Sequence, residues 1–328
     1  MVTTTEKWGR EFRIYLNSDP NDVLSPPYIT SRPDRFTTQG EALHVAFNVR
    51  KHVLLEPQPC TVTIYNMPRE DRADLIKRVN EARAKSARDQ TAIDAGTVTI
   101  EAGYDDDVGA LGTYWILDVK ASKMPGSADV VTTITAQDGR IAWNNAFVRE
   151  EGIPGVPLFE LQAILDAAAD FEAGLDVKES YAKALPKFTQ VTGGAMGSQA
   201  GFTMFGPARN VNQSLLETLG LRAFFDGSGL RMINAESADW KVAVDLRLGE
   251  DVITATERER GFVDVQTLLD HRLTPGRQVR LLDRFGVPAG ALTFRVDDVE
   301  HSGSNFDLAY YSRAILRPSG PPAPGVLI

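Results

Sequence analysis

Alternating apolar and polar residues in the last third of the chain predict a small antiparallel β sheet. A short amphipathic segment, residues 263–276, ends at the turn-forming pair Pro275-Gly276. The stretches that follow alternate in hydrophobicity and are broken by glycines, as strands joined by hairpins are. These stretches are residues 278–282, 292–303 and 307–315, and the glycines are Gly286, Gly290 and Gly303. The pattern is typical of a β-barrel and contains no catalytic constellation.

A second β unit is predicted in the first half of the chain. Its strand-like segments, rich in β-branched residues, are residues 11–16, 43–49, 60–65, 97–103, 114–119 and 128–136. Prolines between residues 17 and 34 predict a loop or extended arm after the first segment. Pro68 is well placed near a helix start, and apolar residues recur at helical spacing after it, which predicts an amphipathic helix over residues 69–85.

The middle of the chain has a mixed pattern. The cluster Pro154-Gly155-Val156-Pro157 predicts a domain boundary near residue 152, and helical periodicity follows over residues 158–171. Asn210 stands as an N-cap before a second helical segment, and residues 224–233 predict two short strands joined at Asp226-Gly227. We therefore expect domains at residues 1–152, 153–238 and 239–317, with a proline-rich tail at 318–328.

Composition and charge exclude several classes of protein. The chain has 328 residues, of which 43% are hydrophobic and 24% charged, and this favours a soluble protein of two or three domains. The net charge of −9 argues against a surface that grips nucleic acid. The sequence lacks a membrane-spanning run and a signal peptide, so we expect synthesis in the cytoplasm and no membrane insertion.

Side chains that could carry chemistry are scattered. The single Cys60 is interpreted as a core residue, the four histidines lack the spacing of a zinc site, and Asp105–107 is interpreted as a solvated turn. The glycines from Gly193 to Gly201 do not form a phosphate loop, and the nucleophile elbow of esterases is missing. A carboxylate pair for glycoside hydrolysis stays open, because its separation depends on the fold. We expect no cofactor, no metal and no enzymatic activity.

Several short motifs occur in an order that resembles the baseplate hub proteins of phage tails. This family includes the late control protein D group and relatives of the hub portion of the type VI secretion spike. The order of a strand, Tyr65-Asn66-Met67, a charged helix, a strand and Ala102-Gly103-Tyr104 is the most specific part. Further motifs lie at residues 47–49, 132–139, 214–219, 225–233, 265–269, 273–276, 279–281 and 294–303.

The resemblance implies an α+β, mainly β fold with two tail-tube-like antiparallel β-barrels and a small α+β middle region. It implies a homotrimer in the tail baseplate of a virion, joining a six-fold tail tube or distal tail ring to a three-fold central spike. A baseplate wedge or tape measure protein is a further possible partner. DNA would pass through the channel without specific binding, because an acidic wall does not hold phosphates.

Two segments are predicted as assembly interfaces. One is the charged helix, through Asp71, Asp74 and Lys77, and the other is the strand and turn that contain Phe294, Arg295, Asp297 and His301. Two alternatives stay open at this point. The first is a peripheral tail adaptor or receptor-binding module, and the second is a tail enzyme that degrades the cell wall.

Overall fold

A computed structural model describes the two predicted β units and short parts of the middle of the chain. The described residues are 9–17, 28–31, 43–54, 56–89, 95–105, 107–138, 147–152, 202–207, 221–225, 230–234, 243–258, 261–283, 288–306 and 308–319.

The first β unit consists of seven strands and one helix. Its strands are β1 (Arg10–Asn17), β2 (Ile29–Thr30), β3 (Val45–His52), β4 (Gln58–Tyr65), β5 (Thr97–Tyr104), β6 (Asp107–Lys123) and β7 (Val130–Asp138). Alternate residues of β3 and β4 are buried, as one apolar face requires. The strands predicted from the sequence are therefore confirmed, with β6 extending well beyond the segment predicted for it.

The helix α1 (Arg69–Asp89) is confirmed at its predicted start and is four residues longer than predicted. Acidic residues lie in its first turn and Arg88 in its last, which complements the helix dipole. Leu75, Val79 and Ala82 form its buried stripe and pack into the core of the first unit. The remaining surface of the helix is largely charged and exposed.

The second β unit has its own core and consists of six strands. They are β12 (Val244–Arg247), β13 (Val252–Glu257), β14 (Val263–Leu268), β15 (Gln278–Leu282), β16 (Pro288–Ser304) and β17 (Tyr310–Pro318). All their pairings are antiparallel except that of β12 with β15. The predicted turn at Pro275-Gly276 is present, and Gly276 has a positive φ of 80°.

The two units share one sheet of 13 strands, which the sequence did not predict. The main path runs β13-β14-β17-β16-β3-β4-β7-β6-β5-β1-β2. Off this path, β15 pairs with β16 on one side and with β12 on the other. The mainly antiparallel fold is confirmed, and the sheet is curled into a half-barrel. Edge-to-edge joining couples the units through backbone hydrogen bonds rather than through a flexible linker.

Two antiparallel strand pairs involve the middle of the chain. Strand β8 (Phe147–Gly152) pairs with β9 (Phe202–Pro207), and β10 (Leu221–Phe225) pairs with β11 (Leu230–Asn234). The second pair confirms the two short strands predicted around Asp226-Gly227. The predicted helices after residues 158 and 210 lie outside the described residues, and the domain boundaries stay predictions.

Candidate functional site

The strand β16 changes partners along its length and thereby joins the two units. One edge of β16 pairs with β17 from Phe294 to Gly303. Its other edge pairs first with β15 and then, over Asp298–Ser304, with β3. Asp297 is skipped in the pairing with β17, so a β-bulge lies where the partner changes. A bulge bends a strand and increases its twist, which allows one strand to serve two units. We call the paired segments Ala46–His52 and Asp298–Ser304 the junction.

A side chain extends the junction beyond the end of β16. The amide of Asn305 accepts a hydrogen bond from the Val45 N–H and donates one to the Leu43 carbonyl, both at 2.8 Å. The Asn305 N–H also donates to the Val45 carbonyl at 3.2 Å. The Asn305 amide thus continues the β ladder where the backbone of β16 turns toward β17.

Buried polar groups lie on the inner side of the junction, with His301 at their centre. Leu273 offers only a carbonyl, 3.2 Å from Nε2 of His301, so Nε2 carries the proton. The other ring nitrogen, Nδ1, then accepts from the Ser312 hydroxyl at 2.8 Å, and that hydroxyl accepts from the Asp270 N–H at 3.0 Å. Burial lowers the pKa of His301 from 6.5 to about 3, and the charge of Lys51 adds to the shift. The neutral imidazole is therefore a structural link inside the chain.

We expect His301 to make folding sensitive to acid. Between pH 6.5 and about 3, the unfolded chain binds a proton at this residue and the folded chain does not. The contribution of His301 is therefore complete above pH 6.5, and stability falls as pH falls, by up to about 1.4 kcal/mol per pH unit. The His301→Gln variant lacks this titration, so urea unfolding at several pH values should give it a shallower slope below pH 6.5. Identical slopes for variant and wild type would contradict the assignment.

A second contact between the units lies beside the junction, where Tyr310 of β17 is the cross-strand partner of Gly303 in β16. The hydroxyl of Tyr310, from β17, lies 2.6 Å from the Glu11 carbonyl oxygen and 2.9 Å from the Gly103 carbonyl oxygen. It also accepts from the Gly103 N–H at 3.2 Å, and the ring packs edge-on against Tyr104 at 5.3 Å. Burial raises the pKa of Tyr310, so the phenol keeps its proton. A side chain of the second unit thus binds the backbone of two paired strands of the first unit, β1 and β5.

The loop after β14 strengthens this contact. A Cβ atom at Gly109 would lie 2.0 Å from Cδ2 of His271, so only a glycine lets the ring approach the backbone of β6 so closely. Leu269 from the same loop is buried in the core of the first unit. The two units are therefore held together by the junction and by the neighbouring contacts of Tyr310, His271 and Leu269.

The solvent side of the junction carries charges that are largely paired. Arg50 binds Asp298 at 2.8 Å, and the Asn48 amide donates to Glu300 at 2.5 Å. On the neighbouring strands, Arg313 binds Asp264 at 2.7 Å, which lowers the pKa of that carboxyl group. Exposed pairs of this kind add little stability, typically below about 1 kcal/mol. Their consequence is a sheet face in which acidic groups lie beside basic ones.

The predicted interface residues of α1 lie near the start of the helix. Asp74 binds Arg78 at 3.0 Å and Lys77 binds Glu81 at 3.9 Å, and both Asp74 and Lys77 are exposed. Asp71 is half-buried, and it accepts a hydrogen bond from the Tyr28 hydroxyl. Burial and this hydrogen bond raise the pKa of Tyr28. Asp74 and Lys77 are therefore accessible to a partner, and the interface role of this segment stays a prediction.

The residues predicted on β16 lie in the interior of the chain. Phe294 is buried in the second core, and Arg295 and His301 are also buried. Asp297 accepts from Nε of Arg295 at 2.7 Å and lies 3.8 Å from a guanidinium nitrogen of Arg222 in β10. These side chains contact other parts of the same chain. Any effect that they have on assembly is therefore indirect and acts by stabilising the folded chain.

The sequence did not single out Tyr310, Asn305 or Gly303 as functional, although all three hold the units together. Each lies in or beside a predicted strand, but no local pattern shows that its contacts come from residues more than 200 positions away. Within the described part of the chain, no cluster of side chains could hold a metal ion. Among the same residues, no helix has the length and apolarity to cross a membrane.

Comparisons with known proteins agree with this architecture. A family model described as baseplate hub gp41 matches residues 29–159, which include most of the first unit. No curated protein sequence matches the chain. The resemblance to baseplate hub proteins is confirmed.

Three solved structures show the same fold at low sequence identity. A tail protein from Neisseria meningitidis MC58 has a TM-score of 0.50 and 9% identity, over 94% of this chain and 96% of its own. The 43 kDa tail protein of prophage MuSo2 from Shewanella oneidensis has a TM-score of 0.52 and 8% identity, over 93% and 98%. The E. coli c3393 protein is a type VI secretion component described as similar to the T4 tail proteins gp27 and gp5. It has a TM-score of 0.50 and 9% identity, over 86% of this chain and 76% of its own.

Proposed function

We propose that the protein is the structural, non-enzymatic hub of a phage tail baseplate. Three copies form a ring that joins the six-fold tail tube, or a distal tail ring, to the three-fold central spike. The protein is made in the host cytoplasm and acts in the virion tail. A wedge or tape measure protein is a further candidate partner, and the ring forms part of the channel through which DNA leaves.

The junction is the observation that carries this proposal. Because β16 pairs with β3 over seven residue pairs, each chain presents two β units in a fixed relation. Three chains then present six β units, which can meet a six-fold ring on one side and a three-fold spike on the other. A closed ring of identical chains uses the same heterologous contact at every step.

Charge also supports a role around passing DNA. The net charge of −9 disfavours binding to phosphates, and the junction pairs its basic groups with acidic ones, as in Arg50 with Asp298. A channel wall of this kind repels DNA or does not bind it, so the DNA is not retained.

The proposal predicts a specific stoichiometry. Light scattering of the purified protein should give three times the chain mass of 35.9 kDa, and the intact virion should contain three copies at the end of the tail tube. Image reconstruction of the tail checks the position of these copies. Copies on the periphery of the baseplate would instead indicate an adaptor or receptor-binding module, and turnover of purified cell wall would indicate an enzyme.

A further inference from the structure

The terminal strand of the large sheet, β13, is unusually exposed. Of its six residues only Val252 is buried, while residues 253–257 are exposed on both faces and Ile253 keeps 53% of its surface accessible. β14 pairs with one edge of β13. Within the described residues, the other edge has no strand partner apart from a single bridge between Leu248 and Val252.

This edge is weakly protected for a terminal strand: it has a register shift between Val252 and Thr254 and a charge at Glu257, and the residues between them add no further protection. Natural edge strands are short, or carry charges or proline, which prevents unwanted pairing. The other ends of the described sheet follow this rule, because β2 has two residues and β12 carries Asp245 and Arg247. Residues 252–256 of β13 contain neither a charged residue nor a proline, and four of the five are β-branched.

We propose that β13 pairs with an extended strand of a second copy of this chain. The inference rests on the proposed ring, in which identical chains must contact one another through different surfaces. Main-chain hydrogen bonds would supply the affinity, as in other cases of strand addition. Each copy carries a net charge of −9, so copies repel one another on average, and the uncharged part of β13 is a place where close approach avoids that repulsion.

The sheet topology gives this pairing a structural consequence. β13 is one end of a path that already crosses both units of the chain. A strand added at β13 would continue that path into the neighbouring copy, which would connect the units of the ring through backbone hydrogen bonds. The contact would therefore stiffen the assembly as well as close it.

The test compares two doubly substituted proteins by light scattering and amide hydrogen exchange over a range of protein concentrations. Thr254→Lys with Thr256→Lys adds charge to exposed positions of β13. The matched control, Ser122→Lys with Thr135→Lys, adds the same charge at exposed positions of β6 and β7, which lie far from β13 along the sheet. We expect the β13 variant to need at least a tenfold higher concentration to assemble, and the control to assemble like the wild type. In the wild type, amide exchange at residues 253–257 should slow at least tenfold as assembly proceeds.

Three results would overturn the inference. A trimer whose residues 253–257 exchange as fast as in the monomer would exclude β13 from the contact, and the hub proposal would survive. Protection at every concentration would mean that the same chain covers the strand. Assembly of the β13 variant at wild-type concentration would show that the edge is not used. Failure of the hub itself is distinguishable, because it would appear as peripheral placement in the virion.

Discussion

Gly303→Ala should lower the free energy of unfolding by about 3 kcal/mol, a large effect for the addition of one methyl group. Gly303 faces Phe47 directly across the junction, and both residues are buried. A Cβ atom at position 303 would lie 2.2 Å from Cζ and 2.5 Å from Cε1 of the Phe47 ring, so a shift is unavoidable. The ring is supported from behind by Phe12 at 5.9 Å, and overpacking of this kind costs up to about 3 kcal/mol. Differential scanning calorimetry should show a fall of several degrees in Tm.

A double-mutant cycle separates this clash from a general loss of stability. In a Phe47→Ala background the ring is gone, so adding the methyl group at position 303 should cost less than about 1 kcal/mol. An equal cost in both backgrounds would show that the ring is not the cause. The nearby Ser302→Ala variant provides a comparison, because it removes a hydroxyl that accepts from Asn48 without adding volume.

Much of the fold could be predicted from the sequence because local patterns determine it. Period-two alternation located the strands of both units, and the apolar stripe of Leu75 and Val79 located the helix. The resemblance to baseplate hub proteins rested on the order of short motifs along the chain, which is more specific than any one of the motifs alone.

The joining of the two units could not be predicted, since it depends on which strand edges meet. The alternation in residues 292–303 is the same whether the strand pairs within its own unit or with β3. The bulge at Asp297 makes the change of partner possible. The sequence Asp297-Asp298 does not by itself indicate a bulge. The same limit applies to Arg295 and His301, which were predicted at an interface from their place in a barrel-like unit. The sequence could not show that the fold supplies internal partners for both side chains.

Tyr310→Ala should have the other large effect and should loosen the contact between the units. The ring is 2% exposed and lies in the core of the first unit, although β17 belongs to the second. Truncating a buried aromatic residue costs about 3–5 kcal/mol, through lost burial and the cavity that remains. The truncation also removes the Tyr310 hydroxyl, which contacts the carbonyl oxygens of Glu11 and Gly103.

Tyr310→Phe divides this effect into its packing and hydrogen-bonding parts. The variant keeps the ring but leaves buried backbone groups of β1 and β5 without the hydroxyl, which costs about 1–3 kcal/mol. If Tyr310 stabilises the paired strands β1 and β5, amide hydrogen exchange in Tyr310→Phe should rise at Phe12 and Gly103 before it rises in the second core. A uniform rise across both units would mean that the residue contributes only to global stability. The proposed function requires the two β units to keep fixed positions between tube and spike. Under that proposal, a local opening at Tyr310 should reduce assembly into virions even where most of the chain stays folded.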